Sequence, residues 1–502
     1  MELCKRLAGP LLLTVCATLI FVQIMLRPAV GLANNGDFPK MAGSLGLGPD
    51  DGGWAAHRWS GLVYRYVHDP KFFYKRDFRH AEYLSSEFFL IKLARGLQRT
   101  FRPGPVFDIR WLGAVNGFFL LLGIGLWLYA LSRCWRVYLG LLLVVIWTDV
   151  AYVQYLNSFY MDTAAMIFLV LCVAACLHVI ENRNSRLFAA LMVTAAVLFA
   201  TSKFQHSVPA FAFIPFFTAL VFWTSDRVVR VLFAAAPILI LVGGLLLMGR
   251  IDEQVRSVPV FNIVFMRIAP QSADPLHTLE ELGLGNSELP FLNTHAYFPN
   301  SPVGDAGWAH RFHQHCNYAT LLNYYLRHPS VPARFLYGGL SGSASRISGV
   351  RMNLSTYDGF RPGARARRFG IWTRFRSFLF RRAPWHVNVL TFVSLAGALY
   401  LFCSPLDRPF AALVLTIQSV GALEYGIAVL ADAAETKRHL FLFHVATEIS
   451  ILLLPCLLHK VYLLHQRRTR PGQSFTFPKL THWGGRRGPG VVAQNITGDG
   501  SP

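Results

Sequence analysis

The sequence predicts an all-α polytopic membrane protein of about ten transmembrane helices with two extracytoplasmic loop domains. Three observations lead there. Hydrophobic residues make up 53% of the 502 and charged residues only 15%, against about 25% in a typical soluble domain, and the mean hydropathy is +0.39. The apolar residues fall in long runs close to the roughly 20 residues that cross a bilayer. The basic residues behind the formal net charge of +21 stand in short clusters beside those runs and in one long loop. That arrangement belongs to a membrane protein and excludes nucleic acid as a partner, which would need a contiguous basic face.

Taken in order, the first run covers 8–28 and follows Lys5 and Arg6. It lacks a clear small-residue cleavage site and reads as a retained signal-anchor helix. Further runs lie near 111–131, 137–155, 163–180, 187–201, 207–223, 228–249, 385–403, 410–431 and 440–463. If they alternate, Lys5/Arg6, Arg133/Arg136, Arg183/Arg186, Arg227/Arg230, Arg408 and Arg467/Arg468 share one side. The positive-inside rule makes that side cytoplasmic, with both termini there. The chain then divides into the first helix (1–28), an extracytoplasmic loop (29–110), helices two to seven (111–249), a large extracytoplasmic loop (250–384), helices eight to ten (385–463) and a basic, Gly- and Pro-rich tail (464–502) expected to be disordered and cytoplasmic.

Within the first loop, 81–95 has helical apolar spacing with Lys92 and Arg95 on its flank, as in a helix lying in the membrane interface or packed in a loop domain. The arginine-rich stretch 361–382 is expected to lie along lipid head groups. Most of the 8 cysteines sit in apolar runs and read as small buried hydrophobes. Cys316, in His313-Gln314-His315-Cys316, has no identifiable zinc partners and reads as a loop cysteine. There is no internal repeat of the kind that marks many transporters.

Polar groups from distant parts of the chain converge at the extracytoplasmic boundary. They are Asp37 in Asn34-Asn35-Gly36-Asp37-Phe38; Tyr160 and Asp162 in Asn157-Ser158-Phe159-Tyr160-Met161-Asp162; Lys203, Gln205 and His206 in Ser202-Lys203-Phe204-Gln205-His206; and Asp432, Glu435, Lys437, Arg438 and His439 in the last external turn. Singly, each has an ordinary structural role: Asp162 would cap the helix that follows, and Lys203 and His206 would snorkel to water. Together they match a reaction. Inverting sugar transfer from a lipid phosphate needs a carboxylate to take the acceptor proton and cations to hold the leaving phosphate. Asp37 is the natural base, and Lys203, Arg438, His439 and His206 suit the phosphate. No glycine-rich nucleotide-binding turn is present, which favours a lipid-linked donor.

These motifs, with Ser85-Ser86-Glu87 and Glu435-Thr436-Lys437-Arg438-His439-Leu440-Phe441-Leu442-Phe443, resemble the GT-C superfamily of integral-membrane glycosyltransferases. More narrowly, they are similar to bacterial glycan-biosynthesis hexose transferases that use polyprenyl-phosphate-linked sugars. The resemblance implies a GT-C-like fold in the bacterial inner membrane, Asp37 as catalytic base, and Lys203, Gln205, His206, Arg438 and His439 as donor-phosphate contacts. Asn35, Glu87, Tyr160, Asp162 and Glu435 would support them. Many members carry a second carboxylate in the first loop; Asp77, Glu82 and Glu87 are the candidates here, with Asp50-Asp51 behind them. Some members use a divalent metal, so a metal is a possible cofactor. The expected partners are the donor lipid, an envelope glycan, lipid or protein acceptor, and the bilayer. A lipid-linked glycan flippase would instead place charges at mid-bilayer depth; Glu424 and Glu448 are the acidic exceptions in the last two runs. A ligase transferring a finished glycan from a diphosphate is the other alternative.

Overall fold

The computed structural model describes residues 2–34, 36–49, 65–68, 84–343, 353–361 and 363–469. It is almost entirely helical. Six helices are long and apolar enough to cross a membrane: Leu7–Met25, Arg110–Ala130, Asp162–Glu181, Arg227–Gly249, Arg408–Leu430 and Phe441–Thr469. Three further candidates are helix pairs bent at a short break, Trp135–Trp147 with Val150–Leu156 (61°), Phe204–Ala210 with Phe213–Trp223 (41°) and Ile371–Arg382 with His386–Phe402 (97°). Arg186–Ala200 is apolar but only 15 residues long. Each of the ten runs expected from the sequence therefore falls on a helix, though breaks and shortness leave six to nine spans by length and composition.

Asp162–Glu181 is the axis of the bundle. It is apolar on every face, and 89% of its best window is buried, as expected of a helix surrounded by others. Arg110–Ala130 and Arg186–Ala200 pack along it, and the first helix, Glu2–Met25, packs on Arg110–Ala130 and on Arg133–Trp147. At Gly113 a Cβ would lie 2.0 Å from Asn157 Oδ1, so only glycine admits that side chain. Asn157 Nδ2 in turn donates to the carbonyls of Ile24 and Val30, both at 2.9 Å, clamping the exit of the first span.

The first loop forms a small antiparallel sheet, β1 (Leu47–Pro49), β2 (Arg65–His68) and β3 (Val106–Asp108), with Arg65 opposite Asp108. The amphipathic segment forms the helix Glu87–Phe101, beginning later than the spacing implied, and buries Leu90, Ile91 and Ala94.

The large loop is a helical body. Glu253–Ile263, Ala306–His315, Tyr318–Arg327 and Ser330–Gly342 surround Phe261, Phe265 and Phe312. The same cluster takes in Ala428, Val429, Leu440 and Phe443, so the body is seated on the ends of the last two spans. Cys316 is buried in it, as a small hydrophobe, and Trp308 packs on Phe312 at 4.7 Å.

One arginine of the stretch 361–382 does not face outward. In Ile371–Arg382, Arg376 turns fully into the protein, with Nε 3.0 Å from Glu448 Oε1, and Tyr152 donates to the same oxygen at 3.0 Å. A buried charge needs such partners, and this network ties the arm to the bundle. Residues 470–502, expected to form a disordered tail, lie outside the described residues.

Candidate active site

Asp37 is placed by the backbone on both sides of it. Asn34 is buried, and its Oδ1 accepts from the amides of Gly36 (2.7 Å) and Phe38 (3.2 Å). Gly36 stands at φ 103°, a conformation that side chains with a Cβ rarely adopt. After Asp37 the chain enters a short helix, Phe38–Met41, whose Phe38 ring meets Phe159 and Tyr160 edge-on at 5.3 and 5.0 Å. The motif expected around Asp37 thus holds the carboxylate from below. Asn35 lies outside the described residues.

Two cations take the carboxylate. Lys40 Nζ is 2.7 Å from Asp37 Oδ1, and Arg438 Nη1 pairs with Oδ2. Arg438 comes from the short helix Thr436–His439, preceded by Glu435 at φ 54°. Its Nη2 lies 3.4 Å from Glu435 Oε2, and its guanidinium covers the Tyr160 ring at 5.3 Å. Tyr160 is fixed through its hydroxyl, which donates to the Ala33 carbonyl at 2.8 Å.

Lys203 stands beside them, at the break before Phe204–Ala210. Ser85 and Ser86 hold that break: the Ser85 hydroxyl donates to the Ser202 carbonyl, and the Ser86 amide to that of Thr201. Lys203 Nζ is 3.3 Å from Asp162 Oδ1, an oxygen it shares with His206 Nε2 at 3.2 Å. His206 Nδ1 lies 2.7 Å from Glu424 Oε1. The chain Lys203–Asp162–His206–Glu424 is thus a buried ladder reaching into the helix Arg408–Leu430.

Asp162 is the first residue of its helix and makes no cap hydrogen bond. The ordinary expectation for it is therefore corrected. Glu87 supplies the cap in its place, its Oε2 accepting from the Ala164 amide at 3.1 Å, which leaves Asp162 to Lys203 and His206. Burial drives the Glu87 pKa well above the carboxylate range, and the Ala164 hydrogen bond offsets only part of that.

On the other flank, His439 has Nδ1 3.0 Å from Gln205 Oε1 and Nε2 3.3 Å from Asp432 Oδ2. Asp432 Oδ1 accepts from Asn262 Nδ2 at 3.1 Å, linking this turn to the large loop. Burial lowers the His439 pKa more than Asp432 raises it. Lys203 and Arg438 add to that lowering, so the site disfavours a charged ring.

A cavity of about 1050 Å³ opens over these groups. Asp37, Lys40, Lys203, Gln205, Arg438 and His439 line one side, and Glu435 the turn beside them. Val208, Leu245, Met248 and Ile251 make an apolar side at the end of Arg227–Gly249, and the large loop contributes His295, Tyr297, His313 and Tyr318. Tyr160, Asp162 and His206 stand behind the lining, and Glu87 sits further off.

Burial by itself would raise the Asp37 pKa, but Arg438, Lys40 and Lys203 outweigh it and hold the carboxyl well below its usual range. Burial likewise depresses Arg438, yet Asp37 and Tyr160 carry it above its ordinary value. Lys203 is lowered by burial, with Asp162 opposing. Among the described residues, no group of three or more His, Cys, Asp or Glu is placed to hold a metal ion, and both Asp37 oxygens face cationic side chains. These residues do not fit a divalent ion, and no step is assigned to one.

Sequence reasoning missed Lys40, although it stands three residues after Asp37, and named Asp432 in the last external turn without giving it a role. Asn262 and the other large-loop residues carry no periodic or motif signal. Of the candidate second carboxylates, Asp77, Glu82 and Asp50-Asp51 lie outside the described residues.

A mainly helical integral membrane protein with a polar site at one end of its spans is the class that fold and site define. The chain belongs to the family described as YfdI N-terminal transmembrane domain, whose model matches residues 1–474. That membership is consistent with the GT-C resemblance of the motifs. A comparison with curated proteins returns no match. Among solved structures the chain is similar to the Archaeoglobus fulgidus oligosaccharyltransferase tethered to an acceptor peptide with an NVT sequon, at 11% identity and TM-score 0.37, covering 93% of this chain and 51% of that one. It is also similar to Archaeoglobus fulgidus AglB in complex with an inhibitory peptide and a dolichol-phosphate, at 11% identity and TM-score 0.36, covering 94% and 53%. The chain spans about half the length of these structures.

Proposed function

We propose that the chain is an inverting glycosyltransferase moving a hexose from a polyprenyl-phosphate donor to a cell-envelope glycan, lipid or protein on the extracytoplasmic side of a bacterial inner membrane. One observation carries this reading: Asp37, paired with Arg438 and Lys40, lines a cavity whose other side is apolar and begins at a membrane-spanning helix. Cations suit a phosphate, the Val208, Leu245 and Met248 wall suits a polyprenyl chain, and the large loop leaves room for an acceptor.

In this reading the acceptor hydroxyl oxygen attacks the anomeric carbon from the face opposite the phosphate. Its proton passes to Asp37 as the new C–O bond forms. The bond from the anomeric carbon to the phosphate oxygen breaks, and its electron pair leaves with polyprenyl phosphate, which Arg438 and Lys203 hold. With Arg438 and Lys40 bound to it, Asp37 is a weak base. Donor phosphate competes for those cations and adds negative charge nearby, which raises the affinity of Asp37 for a proton when the acceptor is in place. Asp162, His206 and Glu424 position Lys203; Gln205 and Asp432 orient His439.

The test is transfer by the purified protein in vesicles, comparing a radiolabelled hexose on polyprenyl monophosphate with a labelled glycan on polyprenyl diphosphate, each with envelope extract. Label reaching acceptor from the monophosphate supports the reading. Transfer only from the diphosphate makes the protein a ligase, and labelled lipid changing leaflet without product makes it a flippase.

A further inference from the structure

The helix Ile371–Arg382 meets the span His386–Phe402 at 97°, so it runs across the bundle while the span runs through it. One face of this elbow is buried: Trp372, Thr373, Arg376, Ser377 and Phe380. The opposite stripe, at helical spacing, holds Ile371, Phe375 and Phe378, which are 66%, 49% and 55% exposed, with the exposed Arg374, Arg381 and Arg382 between and after them. We propose that the elbow lies flat in the membrane interface, with Ile371, Phe375 and Phe378 at the acyl boundary and the three arginines on the phosphates of anionic lipids. This stands apart from the sugar-transfer reading and does not depend on it.

The fold fixes which face turns outward. The Thr373 amide donates to Asp149 Oδ2 at 2.9 Å and its hydroxyl to Oδ1, while Arg376 is bound to Glu448. With the inner face held at both points, the aromatic stripe is left on the surface. Its arginines are engaged only locally. Arg374 and Arg381 donate from Nε to the carbonyls of Gly370 and Ser377, both at 3.2 Å, and Arg382 stands over the Phe378 ring at 6.0 Å. Among the described residues none of the three has an ion-pair partner, so their guanidinium groups keep donors for a phosphate.

Continuity and level both select a bilayer as the partner. The exposed surface passes through Trp385 at the corner onto Val389, Phe392 and Leu399 of the span, the side that lipid covers. Exposed aromatics interleaved with arginines are the composition of a helix seated in the interface, and a tryptophan at the corner is an interfacial anchor. The span has 17 residues, about 25 Å, which is near the least that crosses the hydrocarbon core, so the elbow at its end stands at head-group level. Arg408–Leu430, joined to the span by the short turn 403–407, has 23 residues and rises about 9 Å higher. Ser330–Gly342 packs against that helix and against the elbow, and the Tyr425 hydroxyl donates to the Leu336 carbonyl. Protein therefore covers the extra rise, and the lipid surface can sit at the elbow.

The experiment reconstitutes the full chain, carrying a fluorescent amino acid in place of Phe378, in vesicles of phosphatidylcholine and phosphatidylglycerol. A head-group nitroxide is placed on one lipid or the other at equal mole fraction, and acrylamide serves as the quencher in water. The nitroxides are expected to quench and acrylamide to be excluded. Nitroxide phosphatidylglycerol should quench about threefold or more above nitroxide phosphatidylcholine, since each interfacial arginine contributes on the order of 1 kcal/mol to anionic lipid binding. In Arg374→Gln/Arg381→Gln/Arg382→Gln the quenching persists and the two lipids become equal, whereas Arg374→Lys/Arg381→Lys/Arg382→Lys keeps the preference. Quenching by acrylamide alone would put the stripe in water, and shielding from every quencher would seat a second protein chain on it. Either result overturns the proposal, as does equal quenching by the two lipids in the wild type or an unchanged preference in the glutamine variant.

Discussion

Arg438 and Asp37 are 401 residues apart in sequence and ion-paired at the cavity wall. The pair joins the exit of the first span to the turn before the last, so the site exists only when the whole bundle has closed. Arg438 is nearly buried, held by Asp37, Glu435 and the face of Tyr160.

Replacing Arg438 with alanine should therefore lower transfer by about 10²–10³-fold, the range for losing one preorganised charge-stabilising donor. Lysine should recover part of that, because it keeps the charge and loses the planar fork. Steady-state rates at saturating donor, with thermal melting as a check on folding, decide it.

Gly36→Ala places a Cβ at φ 103°, which costs about 1–3 kcal/mol locally. The turn is expected to relax by displacing Asp37 while the bundle stays folded. Transfer should fall at least tenfold, with a change in melting temperature of only a few degrees; unchanged transfer would separate this turn from the chemistry.

Glu424→Gln leaves the shape of the buried ladder but removes one of the two carboxylates that flank His206. The effect reaches the cavity through Asp162 and Lys203, so the Michaelis constant for donor should rise more than the turnover number falls. A drop in turnover alone would mean that Glu424 acts elsewhere.

His439 supplies a pH signature. Its folded pKa is lowered, mainly by burial, whereas the unfolded ring titrates near about 6.5. Below that pH the unfolded chain takes up a proton that the folded site refuses. The stability due to the neutral ring is present above about pH 6.5 and is lost as pH falls toward the folded value. Melting temperature between pH 7.5 and 5.5 should fall more steeply for the wild type than for His439→Gln.

The sequence made the apolar runs and the turn residues legible because both depend on local pattern: hydrophobic length for the spans, and Asn34-Asn35-Gly36-Asp37 or Ser202-Lys203 for the turns. It could not show that Glu87 caps the Asp162 helix from another segment, freeing Asp162 for Lys203. Nor could it show Arg376 turning inward from an arginine-rich stretch to meet Glu448, or Asn262 reaching Asp432 across 170 residues. These are long-range pairings made by tertiary packing, which leave no periodic trace. The helix breaks at Thr148-Asp149 and Phe211-Ala212 were hidden for the opposite reason: apolar residues close in on both sides of the first and continue through the second, so hydropathy reads each bent pair as one run.

The central claim is that Asp37 takes the acceptor proton. The most direct measurement is hexose transfer from radiolabelled polyprenyl phosphate to envelope acceptor in vesicles, comparing wild type with Asp37→Asn, with donor binding measured on both. Asparagine keeps the size of the side chain and cannot act as the base. The account predicts that Asp37→Asn folds, binds donor within a few-fold of wild type and transfers no sugar. Equal transfer by the two proteins would remove Asp37 from the chemistry.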